Sequence, residues 1–462
     1  MPNFLGIDVG TTGCRALLID ELGNIKQSAS REFPLHTPAP GWTEQNPEDW
    51  AKGVAESVAE IQQPFVGIGF AGQMHGSVFL DDSNQVIRPA LLWNDQRTAT
   101  QVNQIAERCG LETVYEETCN PPLTGFQAGK ILWLRETEPQ NFARLKHVLL
   151  PKDFIRLALT GELATDVSDA SGTGLFNVPQ RNWSQKLIET LDLSTAIFPK
   201  SHESAEPVGE WRGAVVVAGA GDQAASAVGT GAVSDDVVSL SLGTSGVVFS
   251  SQDDSKFDPQ GRVHTFCHAN GRWHSMGVML SCGGAVRWAR DLFGFVNYDE
   301  MSARASQVPN SEILFKPYLS GERTPHNDPD LRGSFHNLSL ASSRAHVASS
   351  IFEGVSFGLL DGFDLIQQLR GLKCETLRVT GGGAKSDYWM QLLADMFGIP
   401  THRLAVDEGP AYGAALLAGV GAGCWSSVPE ACAATVRTTQ CFEPDPQRHE
   451  HLTHKRAKWL NF

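Results

Sequence analysis

Short apolar runs that end in glycine recur along the chain: FLGIDVG from Phe4, FVGIGFAG over Phe65–Gly72, AVVVAGAGD over Ala214–Asp222, VVSLSLGTSG over Val237–Gly246 and TLRVTGGGA over Thr376–Ala384. Each reads as a β-strand ending in a glycine loop. Helix-period stretches follow or separate them, over Pro47–Ile61, Ser349–Leu369 and Asp387–Phe397. Strand, glycine loop and helix in alternation predict an α/β fold with ligands at the strand ends.

The first run carries one acid, Asp8, before a turn of Gly10, Thr11, Thr12 and Gly13, and the chain then resumes as RALLID. For a single turn of this kind, a hairpin with a solvated acid is the better explanation, because Gly and Thr are common turn residues. The turn recurs, however, as Gly243, Thr244, Ser245 and Gly246, with Ser241 where the first copy has Asp8. A duplication with one acidic copy follows, and two such turns can offer backbone amides and hydroxyls to a phosphate chain from opposite sides. The boundary between halves is expected around Gly231–Asp236, giving domains 1–234 and 235–462, with the less patterned stretch from about Gly423 as a peripheral tail.

Three further segments carry candidate chemistry. In GAGDQAASAVGTG, Asp222 ends a strand and opens a helix; alone it reads as an N-cap, and together with the paired turns it reads as a carboxylate able to take a proton from a hydroxyl. The loop AGQMHGS sets Gln73, Met74 and His75 between glycines, and LLWND brings Trp93, Asn94 and Asp95. An aromatic face with amide and imidazole groups suits a polyol. In VTGGGAKSDYW, Gly381, Gly382 and Gly383 allow close backbone approach to a flat ligand such as adenine, although the segment is neither a Walker A nor a GxGxxG motif and by itself reads equally well as a glycine-rich connection with no ligand. The stretch HTFCHANGRWH, with His264, Cys267, His268 and His274, lacks a second ligand cluster and is expected to be a strand pair whose residues pack or face solvent in alternation.

The 462 residues carry 37 Lys plus Arg against 52 Asp plus Glu, a formal net charge of −15. Nucleic acid and anionic membrane are poor partners for that balance, so a phosphorylated ligand must be held by local devices. Nine scattered cysteines without a CxxC pair, and no apolar run of membrane-spanning length, predict a soluble, unexported cytoplasmic protein with reduced thiols.

These residues together resemble the FGGY family of carbohydrate kinases. The likeness is carried by GIDVGTTGCRALLID, GWTEQNPEDW, AGQMHGSVFLDD, PALLWNDQR, LLPKDFIRLALTGE, TDVSDASGT, SLGTSG, FKPYLSGERTPHNDP and TGGGAKSDYWMQLLAD. It implies two ribonuclease-H-like domains of the actin and hexokinase type with a cleft between them. It further implies phosphoryl transfer from ATP, with Mg²⁺, to a small sugar, D-xylulose ahead of ribulose or another polyol. A non-catalytic sensor on the same fold is the reading from another class. By motif, Asp222 matches the family's catalytic base, Asp8 the acid that places the metal and phosphates, and Met74 and His75 the sugar contacts. Gly10, Thr11, Thr12, Gly13, Gly243, Thr244, Gly283, Gly381 and Gly382 fall in segments resembling the nucleotide and phosphate site. Gln223 departs from the Asn often found after the catalytic Asp, and Met74-His75 replace the Arg-Glu of glycerol kinases. A homodimer is the candidate assembly.

Overall fold

The computed structural model describes residues 1–406 and 408–462. Its first sheet contains β1 (Asn3–Val9), β2 (Gly13–Asp20), β3 (Ile25–Glu32), β4 (Gly67–Gly72), β5 (Pro207–Trp211) and β6 (Ala214–Val217), in the order β5-β6-β4-β1-β2-β3. The second contains β7 (Val237–Leu242), β8 (Gly246–Gln252), β9 (His264–Cys267), β10 (Trp273–Met279), β11 (Thr376–Thr380), β12 (Thr401–Leu404) and β13 (Thr438–Phe442), in the order β9-β10-β8-β7-β11-β12-β13. In each sheet the opening strand pairs antiparallel with the next and parallel with a later one: β1 with β2 and β4, β7 with β8 and β11. The duplication seen in the turns is therefore a duplication of whole sheets.

Both central strands are apolar because helices cover both faces. Pro47–Ala59 (α1) starts at Asn46, whose side chain accepts from the Glu48 amide, and lays Trp50, Val54 and Val58 on the first sheet. Asp222–Thr230 (α2) follows the first sheet's last parallel strand and ends on Gly231 in the left-handed region. Arg344–Arg370 (α3) and Asp387–Phe397 (α4) cover the second sheet, where Leu240, Ile351, Phe352 and Leu393 form one core.

The cores do not follow chain order. Gly409–Gly421 (α5) leaves the second sheet and packs on β1, β4 and α2, so that Ala411, Ala414 and Ala418 share a core with Phe4, Ala71 and Ala225. Glycine makes this approach. A Cβ at Gly413 would lie 1.8 Å from the Ala225 carbonyl, one at Gly6 1.9 Å from the Ala411 carbonyl, and one at Gly69 2.1 Å from the Ala414 carbonyl.

The stretch from Gly423 is not peripheral, contrary to the sequence expectation. Trp425, Val428 and Cys432 complete the first-half core, β13 extends the second sheet, and Pro446–Leu460 (α6) buries Leu452 and Trp459. Its polar ends hid this packing, including Lys455, which is buried against Glu353.

Gly413→Val forces a side chain into the α2 backbone, where overpacking costs ~1–3 kcal/mol or more. We expect the thermal midpoint to fall by several degrees. Gly382→Ala, whose Cβ meets nothing within 4 Å, should leave it in place.

Candidate active site

Asp8 lies at the end of β1, paired across the sheet with Arg15 on β2 and Ala71 on β4. Asp222 opens α2, but Gly221 is the cap residue and no side chain caps the helix end. The N-cap explanation for Asp222 therefore fails, and its carboxylate is left for other work. Burial raises the Asp222 pKa to about 6, with the Gln223 amides pulling it back. Asp8 is raised to about 7, first by burial and then by the charge of Asp222, against the pull of Arg15. The charge of Asp222 thus disfavours the ionisation of Asp8, and Asp8 Oδ1 is buried without a hydrogen-bond partner.

The sugar-loop candidates follow β4. Met74 packs between the two glycines its neighbourhood requires: a Cβ at Gly221 would lie 2.9 Å from Met74 Cγ, and one at Gly172 3.0 Å from Met74 Cε. His75 takes a left-handed backbone at φ 66°, a conformation uncommon outside glycine. Three contacts hold it there. Its Nδ1 lies 2.6 Å from the Gly172 carbonyl, its ring stacks at 4.8 Å on Phe126, and its own carbonyl accepts from Lys130 Nζ at 2.7 Å. Burial, with the charges of Lys130 and Arg323, lowers the His75 pKa to about 3, so the ring is neutral. A carbonyl can only accept, so Nδ1 carries the hydrogen and Nε2 presents a lone pair.

Gln73 is not free to read a ligand. Its Oε1 accepts from Thr11 Oγ1 at 3.1 Å, while its Nε2 donates to Gln45 Oε1 at 3.2 Å and the Gly10 carbonyl at 3.4 Å. It fastens the sugar loop to the first glycine turn. Trp93 Nε1 donates to the same Thr11 hydroxyl at 3.0 Å and leaves a ring 42% exposed above the turn. Asn94 Oδ1 is taken by Thr43 Oγ1 at 2.8 Å, and Asp95 is locked to Arg97. The turn itself closes through the Gly10 amide to the Gly13 carbonyl at 2.9 Å, with Thr12 exposed.

The second turn borders a cavity of about 380 Å³, lined by Gly243, Thr244, Gly283, Gly382, Phe352 and Trp389 among others. Gly283 must be glycine because its Cβ would meet the Gly243 carbonyl at 2.5 Å. Gly381 lies outside the lining; at φ 84° with Leu242 behind it, it makes the turn.

Sequence reasoning missed the buried ion cluster behind Asp222, although the stretches PKD and TDVSD carry it. Lys152 Nζ lies 2.6, 2.9 and 3.3 Å from Asp153, Asp166 and Asp169. Ser168 Oγ donates to Asp166 at 2.5 Å and accepts from the Gly221 amide at 3.1 Å, so the cluster reaches the turn that carries Asp222. The histidine stretch is the expected strand pair, β9 with β10. Its residues do not alternate with solvent, since His264, Cys267, His268 and His274 are all buried, and among the described residues no group of metal-ligating side chains is found.

Two glycine turns in duplicated sheets, together with a pair of acids and a polar loop tied to the first turn, are the features of a sugar kinase. The chain belongs to the FGGY family of carbohydrate kinases: the family's N-terminal domain matches residues 3–229 and its C-terminal domain residues 238–422. It is 39% identical over 465 residues to the xylulose kinase of Escherichia coli (strain K12), covering 96% of this chain and 95% of that protein. To the xylulose kinase of Klebsiella pneumoniae it is 40% identical, over 90% of this chain and 89% of that one. A crystal structure of a xylulose kinase from Brucella ovis superposes with a TM-score of 0.94 at 34% identity, covering 99% of this chain and 98% of that one.

Gln73→Ala removes the bonds that tie the first turn to the sugar loop. At ~1.4 kcal/mol, the upper part of the range for a neutral hydrogen bond, amide exchange at Thr11–Gly13 should speed up about tenfold. Mass-resolved hydrogen exchange reads this, and unchanged protection would refute the fastening role.

Proposed function

We propose that the protein transfers the γ-phosphoryl group of ATP to the terminal hydroxyl of D-xylulose, giving D-xylulose 5-phosphate, with Asp222 as general base. The observation that carries the reading is Asp222, displaced from capping and raised to about 6, following directly on Gly221, against which Met74 packs. A base with a pKa near neutrality is well matched to drawing a proton from an alcohol as its oxygen attacks.

The remaining groups divide the labour. His75 Nε2 accepts a hydrogen bond from a sugar hydroxyl, and Met74 forms an apolar floor for the carbon chain. Amides of the two glycine turns donate to phosphate oxygens without adding a side-chain charge. The cavity at Gly243, Gly283 and Gly382 takes the adenosine end, its volume within the usual range for small ligands.

Asp8 fits a hard cation: an oxygen donor, buried, unpartnered and beside a second acid. Mg²⁺ held there would neutralise phosphate charge, the main requirement of phosphoryl transfer. The free state of all nine cysteines fits a cytoplasmic location, and among the described residues no helix is long and apolar enough to cross a membrane.

Asp222→Asn keeps the shape and removes the base, so kcat should fall ~100- to 10,000-fold. In the parent protein the base must be unprotonated, so kcat/KM should decline as pH drops through about 6, the value to which Asp222 is raised. A variant with near-normal turnover, or a flat profile between pH 5 and about 7, would contradict the assignment.

Substrate identity is tested by ADP release with D-xylulose, D-ribulose, gluconate and glycerol. D-Xylulose should give the highest kcat/KM, and a higher value for any of the others would overturn the reading.

A further inference from the structure

The polar groups around His75 and Asp222 are nearly all acceptors. Asp8, Asp222 and His75 Nε2 can only accept when ionised or neutral as described. Most donors nearby are committed: the Gln73 amide to Gln45 and Gly10, Trp93 Nε1 to Thr11, two of the Lys130 Nζ hydrogens to the His75 and Gly125 carbonyls, and Gln223 to Asp222. Hydroxyls tolerate this because they donate. A ketone oxygen does not, since it can only accept.

One donor-rich group faces this region from the second half. Arg323 belongs to the segment GERTP, which is pinned to β10 and the residue that follows it. Glu322 Oε1 accepts from the Leu280 and Arg323 amides, both at 2.8 Å, and the Thr324 amide donates to the Val278 carbonyl at 2.9 Å. Thr324 Oγ1 also donates to the Arg262 carbonyl at 2.7 Å, two residues before His264, so the segment lies against the strand that carries that imidazole, and the Arg323 charge is felt at both His264 and His75. Those imidazoles flank Phe126, at 4.8 and 6.4 Å between ring centroids. Among the described residues the guanidinium has no carboxylate within ion-pair distance and no hydrogen-bond partner. A half-buried cation kept unpaired costs free energy unless a ligand completes it.

We propose that Arg323 is a substrate-binding residue that donates to the ketone oxygen of an open-chain ketose while His75 Nε2 accepts from a neighbouring hydroxyl. The proposal rests on the ketose-kinase reading and deepens it: the enzyme distinguishes a ketose from the corresponding alditol through a group supplied by the opposite half. Without Arg323 the ketone oxygen is left unpaired, whereas the alditol's hydroxyl can turn and donate to the acceptors that remain.

Dissociation constants of D-xylulose and xylitol for the full chain test this. Arg323→Met should weaken D-xylulose ~10- to 150-fold, the range for a hydrogen bond to a charged group, and xylitol less than about threefold. Arg323→Lys, which keeps a donor but not the planar fork, should recover part of the loss and serves if the Met variant does not fold. Equal weakening of both ligands, or no weakening of D-xylulose, overturns the proposal. If the wild-type enzyme prefers another ketose, the substrate reading alone falls, and the same comparison with that ketose and its alditol decides Arg323.

Discussion

The structure depends on one backbone contact, the approach of α5 to α2 and β1 with no side chain between them. Gly413 lies against the Ala225 carbonyl, Gly229 against that of Gly409, and Gly6 against that of Ala411. At such distances two helices and a sheet gain dispersion contacts along their whole length, and no residue but glycine fits. The consequence is topological. A helix encoded after the second sheet becomes the cover of the first, so α2, which carries Asp222, is clamped between the halves. The helix that opens with Asp222, the proposed base, is held by segments from both halves of the chain.

The electrostatics of the site follow from that clamp. Asp222 and Asp8 are brought near each other in a region dry enough to raise both pKa values, in a chain of net charge −15. Nothing in this arrangement attracts a polyphosphate by bulk charge. In the proposed reading, attraction comes from oriented amides at the two turns and from a cation at Asp8, both of which act only at short range. The same scarcity of positive charge makes an unpaired guanidinium at Arg323 informative, because other arginines here, such as Arg97 and Arg156, are committed to carboxylates.

Much of this was legible along the chain, and the parts that were not share a cause. The glycine turns, Asp222 and the strand-loop-helix alternation depend on local conformation, which residue type reports directly; Asp387–Phe397 is a helix with the very bounds its periodicity predicts. Packing between distant segments leaves no such mark. The Ala- and Gly-rich α5 looks like an ordinary covering helix of its own half, the polar α6 looks peripheral although Trp459 is fully buried, and Gln73 looks like a free loop amide. Its neighbours Thr11 and Gln45 are 62 and 28 residues away. Pairing at that separation is decided by the fold and cannot be read from the loop.

The cluster of Lys152, Asp153, Arg156, Asp166 and Asp169 makes the same point energetically. Burying these groups forfeits several kcal/mol of hydration per ion, and an apolar core of equal volume would cost less. What an apolar core could not do is connect. Lys152 stands beside Gly72, where the sugar loop begins, since a Cβ on that glycine would come within 3.0 Å of the lysine's. Asp166, bonded to Lys152, is joined through Ser168 to the Gly221 amide, where α2 begins. Arg156 ties the same group to the Ala218 carbonyl at 2.6 Å, at the end of β6. The backbone at Gly72, Ala218 and Gly221, which leads to the proposed sugar loop and base, is thus fixed to one set of directional bonds. Apolar packing tolerates small slides, and directional bonds resist them. A displacement of about 1 Å between a base and its hydroxyl can cost a hundredfold in rate, so with Asp222 as the proposed base the hydration forfeited here maintains the distance over which the proton would pass.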